Sequence, residues 1–155
     1  MARKFATALP VAGLVVVVDQ LTKAWALRRL PGNPMEVIPN LLSFEYTRNS
    51  GAAFGLFRNG GVVLSVVVLV AVGSVIWTIT TLEPRLELVA MGAILGGAIG
   101  NVWDRFLYAV GFMDGAVVDW IKLPNFWNFN IADTALTVGV AVLLLSTWMH
   151  RDHAS

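Results

Sequence analysis

The chain has 155 residues, 57% of them hydrophobic and 14% charged, with a mean hydropathy of +0.71. Soluble domains carry about 25% charged residues, so this composition excludes an ordinary water-soluble domain. A net charge of +1 argues against a nucleic-acid partner, which needs a basic excess. The absence of cysteine excludes a disulfide, a thiol nucleophile and a thiolate metal site.

Four stretches are long and apolar enough to cross about 30 Å of hydrocarbon, which takes roughly 20 residues. The first covers 5–27. Arg3 and Lys4 precede it, as in a secretory signal peptide, but "DQLTK" at 19–23 stands where a small-residue cleavage site would be needed. A retained span is therefore expected. Pro31, Gly32, Asn33 and Pro34 then supply turn chemistry. In "LLSFEYT" (41–47), Leu42, Phe44 and Tyr46 alternate with Ser43, Glu45 and Thr47, the period of a half-buried strand or hairpin on the membrane surface.

The second span, 62–82, contains no charge, and the short link "EPRLE" (83–87) leads to the third, 88–108. There Gly92, Gly96 and Gly100 share one face and allow close helix packing, with no chemistry implied. Residues 109–127 are too short and too glycine-rich for a span and are read as a loop or short interfacial helix. The fourth span is 129–149. Trp25, Trp103, Trp120 and Trp127 fall at span ends on one side, as an interfacial aromatic belt would. The expected fold is thus an all-α polytopic membrane protein of four transmembrane helices in one domain over 1–155, with a small β segment between the first two helices.

Short connections make successive spans alternate in direction. Alternation carries Asp19, Lys23, Asn101, Asp104, Arg105, Asp119, Asn130 and Asp133 to one side of the membrane. The pairs Asp19–Lys23, Asn101–Asp104 and Asn130–Asp133 are three or four residues apart and share helix faces. A charge at mid-bilayer costs roughly 2.5–3.5 kcal/mol on the insertion scale, so such groups face a bundle interior or an aqueous cavity. Asp19–Lys23 and Asp104–Arg105 can simply neutralise one another near the interface. Asp133 has no basic partner at helical spacing, and Lys122, three residues from Asp119, lies in the connection between spans, where no helix face is assigned. Two aspartates about 3 Å apart cannot both ionise and share a proton, one acting as base towards water and the other as acid towards a carbonyl. That chemistry needs no metal, histidine or cysteine, and no cofactor is expected.

The blocks "DQLTK" (19–23), "RNSGAAFG" (48–55), "GGAIGNVWDR" (96–105), "VVDW" (117–120) and "FNIAD" (129–133) closely resemble bacterial lipoprotein signal peptidase, also called signal peptidase II. They run in the family's order through nearly the whole chain. The resemblance implies an aspartic endopeptidase with Asp119 and Asp133 as the catalytic pair. It makes Asp19, Lys23, Asn49, Gly51, Asn101, Asp104, Arg105 and Asn130 site-lining or site-supporting. The implied substrates are diacylglyceryl-modified prolipoproteins, cut just before the lipidated cysteine. The implied setting is the bacterial cytoplasmic membrane, among membrane lipid, with a monomer expected. Tryptophan replaces a common phenylalanine in "VVDW", and the Asp119–Asp133 connection is on the short side for the family.

Both termini are expected to be cytoplasmic and the site to face outward. The positive-inside count runs the other way: Arg3, Lys4, Arg85 and Arg151 would be inside, and Arg28, Arg29, Arg48, Arg58 and Lys122 outside. The orientation rests on "ARK" before the first span and on the resemblance. Three other chemistries fit parts of the pattern. Ser50 with Lys23 as base would make a serine protease. Asp19, Asp104 and Asp119 would suit a magnesium-dependent enzyme acting on lipid phosphates. Intramembrane Asp and Lys would also suit a small proton-coupled transporter, although no internal repeat is evident.

Overall fold

A computed structural model describes residues 2–50, 61–81, 85–111 and 113–152. The elements in chain order are α1 (Ala2–Arg29), β1 (Met35–Ile38), β2 (Leu42–Asn49), α2 (Gly61–Thr81), α3 (Arg85–Leu107), β3 (Val117–Lys122) and α4 (Ile131–Asp152). Segments Ala2–Arg29, Leu86–Leu107 and Ile131–Met149 are long and apolar enough to cross a membrane. α2 adds a further apolar helix of 21 residues without a charged side chain. Leu14, Val17, Leu21, Val70, Trp77, Leu144 and Leu145 all point outwards, which suits helices solvated by lipid.

Helix α3 lies against α1, α2 and α4. Its glycines make that central place possible. A Cβ on Gly92 would come within 2.5 Å of the Ala8 carbonyl oxygen, and one on Gly96 within 2.6 Å of that of Ala12. The two backbones therefore approach as closely as small residues permit. Ala8 and Ala12 join Ile79, Leu88 and Leu95 in the core at this end of the bundle. α1 thus packs closely against α3 and α2 at this end.

The segment between α1 and α2 forms the expected hairpin. β1 pairs antiparallel with β2, and Asn40 turns the chain in the left-handed region (φ 57°), a conformation asparagine tolerates. The Asn40 N–H donates to Glu36 Oε1 at 2.9 Å. One expectation is corrected here. Between α3 and α4 there is a strand, β3, not a plain loop or interfacial helix. It pairs antiparallel with β2 to complete a three-stranded sheet in the order β1-β2-β3. "VVDWIK" is β-branched and aromatic enough for a strand, but its pairing partner lies about 70 residues earlier, beyond the reach of local pattern.

The sheet is fastened to α1 by rings. Trp25, Phe44 and Trp120 meet edge to face, with centroids 4.9–5.8 Å apart. Ala26 and Leu30 close the same cluster. Trp120 is therefore a buried core residue, whereas Trp103 and Trp127 remain exposed as belt residues would.

Candidate active site

The C-terminal part of α1, the last turns of α3, β3 and the first turn of α4 meet in one polar network. Lys23 is at its centre and is buried. Its Nζ lies 2.7 Å from Asp19 Oδ2 and 3.0 Å from Asp104 Oδ2, and donates to Asn101 Oδ1 at 3.0 Å. The sequence spacing anticipates the Asp19 pair; the Asp104 pair across two helices depends on helix rotation, which spacing does not reveal.

Each acid does a second job. Asp19 Oδ1 accepts the Ala132 N–H at 2.9 Å, satisfying an orphan amide in the first turn of α4. Asp104 Oδ2 accepts the Val118 N–H at 3.0 Å and so ties β3 to α3. Arg105 Nη1 donates to the Gly115 carbonyl at 3.3 Å, and the Gly115 N–H returns to the Arg105 carbonyl at 3.2 Å. These bonds fold the chain after α3 back towards β3.

Asp119 and Asp133 face this network from β3 and α4. Asn130 touches both. Its Nδ2 donates to Asp119 Oδ1 at 2.7 Å, and its N–H donates to Asp133 Oδ2 at 3.2 Å. The Asp133 N–H returns to Asn130 Oδ1 at 2.9 Å. This reciprocal pair is a capping box, with Asn at the N-cap and Asp three residues on. "NIAD" carries that signature, which the spacing of polar residues alone does not bring out. Asn101 Nδ2 donates to Asp133 Oδ1 at 2.8 Å, and Asn49 Nδ2 donates to Asp119 Oδ2 at 3.1 Å. Every oxygen of the two carboxylates thus accepts a hydrogen bond.

Asp119 is almost completely buried. Burial pushes its carboxyl up to about 7, and the charge of Asp133 adds to the rise. The amides of Asn49 and Asn130 and the charge of Lys23 pull the other way. A carboxyl that keeps a proton near neutral pH, beside a second carboxyl, suits acid–base chemistry. An apolar groove of about 280 Å³ opens beside Asp133 and is lined by Thr134, Thr137 and Val138 of α4 and by Trp127 and Phe129.

All the candidate residues that are described gather here: Asp19, Lys23, Asn49, Asn101, Asp104, Arg105, Asp119, Asn130 and Asp133. Gly51 lies outside the described residues. Gln20 joins them without having been expected. Its Nε2 donates to Asp104 Oδ1 at 2.9 Å, Asp19 Oδ2 at 3.2 Å and the Gly100 carbonyl at 3.3 Å. Its place beside Asp19 on an otherwise apolar span is the available signal. Gly100 also does more than pack helices, since a Cβ there would come within 2.7 Å of Asp19 Oδ2.

The arrangement separates the other chemistries. Lys23 is engaged by two carboxylates, and Ser50 is exposed at the end of β2. Asp19 and Asp104 turn to Lys23 and Asp119 to the asparagines. Among the described residues no three His, Cys, Asp or Glu side chains gather as a metal-ligand set.

Residues 11–149 match the family model described as signal peptidase (SPase) II. The chain is 40% identical over 154 residues to a lipoprotein signal peptidase of Thermosynechococcus vestitus, spanning 91% of this chain and 90% of the relative. It is 41% identical over 150 residues to one of Bifidobacterium longum, spanning 92% and 81%. The chain belongs to the signal peptidase II family. A solved bacterial membrane enzyme, determined by the in meso method at 2.3 Å, superposes with a TM-score of 0.85 at 29% identity. The overlap covers 97% of this chain and 92% of that one. A second, at 1.9 Å, gives 0.80 at 30% identity over 92% of each chain. Membership of the signal peptidase II family makes the protein a membrane-embedded peptidase of lipoprotein processing, and nothing in these likenesses supports a transporter.

Proposed function

We propose that Asp119 and Asp133 are the catalytic pair of an aspartic endopeptidase that removes signal peptides from prolipoproteins, cutting just before a diacylglyceryl-modified cysteine. The observation that carries the reading is Asn130, which donates a hydrogen bond to each of the two carboxyls. Asp119, pushed up to about 7 by burial and by Asp133, keeps the shared proton. Asp133 takes a proton from water as its oxygen attacks the scissile carbonyl carbon, and Asp119 gives its proton to the carbonyl oxygen. The tetrahedral intermediate then collapses, the C–N bond breaks, and the leaving nitrogen takes the proton held by Asp133 while the hydroxyl proton returns to Asp119. Lys23, Asp19 and Asp104 hold Asn101 and the first turn of α4, so the carboxyls need little reorganisation during the reaction.

The whole chain acts as one domain in the bacterial cytoplasmic membrane, as a monomer with α2 as a fourth span. The sheet and site lie on the extracytoplasmic side, and both termini are cytoplasmic. Because the chain lacks cysteine, single introduced cysteines report the orientation directly. One in "EPRLE" should be shielded from an impermeant thiol reagent in intact cells, and one at Asn59 should react; the reverse pattern would invert the topology.

The apolar groove beside Asp133 supports a lipid-bearing substrate. An acyl chain buried in such a groove contributes at most about 0.8 kcal/mol per CH₂. Much of that gain is already available in the bilayer, so the anchor chiefly sets the scissile bond at the depth of the carboxyls. Unlipidated precursor should be cleaved far more slowly than lipidated precursor in the same bilayer. Equal initial rates would reduce the reading to a general membrane aspartic protease.

A further inference from the structure

Asn128 stands outside the network around the two aspartates and outside every block that carries the family resemblance. It lies on the connection from β3 to α4, which turns back along β3. The Phe129 N–H donates to the Ile121 carbonyl at 3.0 Å, and the Phe129 carbonyl accepts the N–H groups of Trp120 and Ile121 at 3.0 and 2.9 Å. From there the half-buried Asn128 side chain reaches β2. Its Nδ2 donates to Thr47 Oγ1 at 2.8 Å and to the Glu45 carbonyl at 3.3 Å.

Both acceptors belong to an irregular stretch of the sheet. The register of β2 against β3 slips between Phe44 and Thr47, where three steps along β2 face two along β3. Bulges of this kind bend a strand and re-aim its side chains, and they concentrate near active sites. Thr47 is the cross-strand partner of Asp119. Two residues further along the same strand, Asn49 donates to Asp119 Oδ2. The Asn128–Thr47 bond and the Asn49–Asp119 bond therefore hang on neighbouring positions of one strand.

We propose that Asn128 is a positioning residue, which clamps the bulged part of β2 to the β3–α4 connection and thereby sets Asn49 against Asp119. The inference rests on the reading of Asp119 as catalytic. The groups that act on Asp119 are Asp133 of α4, Lys23 of α1, Arg105 of α3 and the amides of Asn49 and Asn130. Of these, Asn49 alone belongs to β2. Its hydrogen bond favours the ionised carboxylate, so a displaced Asn49 moves the titration of Asp119 to higher pH. A clamp that only held the sheet together would change the amount of folded enzyme and leave the pH profile where it was.

The test measures kcat, KM and the pH profile on a diacylglyceryl-modified prolipoprotein. It uses Asn128→Ala, Asn128→Asp, Thr47→Val, Thr47→Ser and the double variant Asn128→Ala/Thr47→Val, beside wild type and Asp119→Asn. Asn128→Ala, Asn128→Asp and Thr47→Val should each lower kcat about tenfold and change KM by less than about twofold. The limb at which activity falls as Asp119 loses its proton should move to higher pH in all three. Thr47→Ser should behave as wild type, and the double variant should be no worse than Asn128→Ala, which already removes the Thr47 bond along with the one to Glu45. Wild-type kcat and an unmoved limb in both Asn128 variants would overturn the proposal. So would losses that multiply in the double variant with the limb unmoved. Cleavage by wild type together with an inactive Asp119→Asn keeps the catalytic pair whatever Asn128 does.

Discussion

Replacing Asp119 by asparagine should remove activity and, above neutral pH, remove a stability penalty that the wild type carries. The folded protein holds the Asp119 proton up to about pH 7, whereas the ordinary value is 3.8. Between these limits the folded state binds a proton that the unfolded chain has released, so stability falls as pH rises through the window. The contribution is fully present below about pH 4. Three pH units at 1.36 kcal/mol each give about 4 kcal/mol as the full loss. The carboxamide of Asp119→Asn does not titrate, so the variant's curve lacks this fall. It also points an N–H at one of the two asparagine donors, a cost of about 1–3 kcal/mol that does not vary with pH. That cost shifts the curve without changing its slope. Thermal or denaturant unfolding of both proteins in one detergent, from pH 4 to pH 8, separates the two effects. The difference should move steadily in favour of Asp119→Asn by several kcal/mol. Parallel curves would show that Asp119 is ionised in the folded protein across this range, and the division of labour between the two carboxyls would fail.

Lys23→Met should destabilise the protein by about 3–5 kcal/mol, because it leaves Asp19 and Asp104 buried without their cation; the unfolding midpoint checks this, and Lys23→Met/Asp104→Asn should recover part of the loss. Gly100→Ala places a methyl against Asp19 Oδ2 and should cost about 1–3 kcal/mol. It should also lower cleavage more than Gly73→Ala, where a Cβ meets nothing within 4 Å.

Much of this architecture is legible in the residue order, for identifiable reasons. Apolar runs of the right length mark helices, and alternation of direction carries Asp19, Asp104, Asp119 and Asp133 to one side before any contact is known. The Asp19–Lys23 pair is legible because four residues make one helical turn. Contacts between elements are not legible in this way. Lys23–Asp104 depends on how two helices are rotated, and β3 depends on a partner strand far away in sequence. Trp120 reads as a belt residue because its place at a span end is visible and its packing on Trp25 and Phe44 is not. Gly100 reads as one of a packing series, yet its neighbour is a carboxylate. The capping box in "NIAD" is local, its ends three positions apart, yet polar spacing shows only that Asn130 and Asp133 share a helix face; Asn as N-cap emerges from the helix start at Ile131.

The most direct measurement is release of the signal peptide from a purified diacylglyceryl-modified prolipoprotein by wild type, Asp119→Asn and Asp133→Asn in the same bilayer. A positioned acid or base contributes about 10²–10⁴-fold. Wild type should cleave just before the lipidated cysteine, and each folded, inserted variant should fall by at least the lower of those factors. Substantial turnover by either variant would contradict the assignment of the catalytic pair.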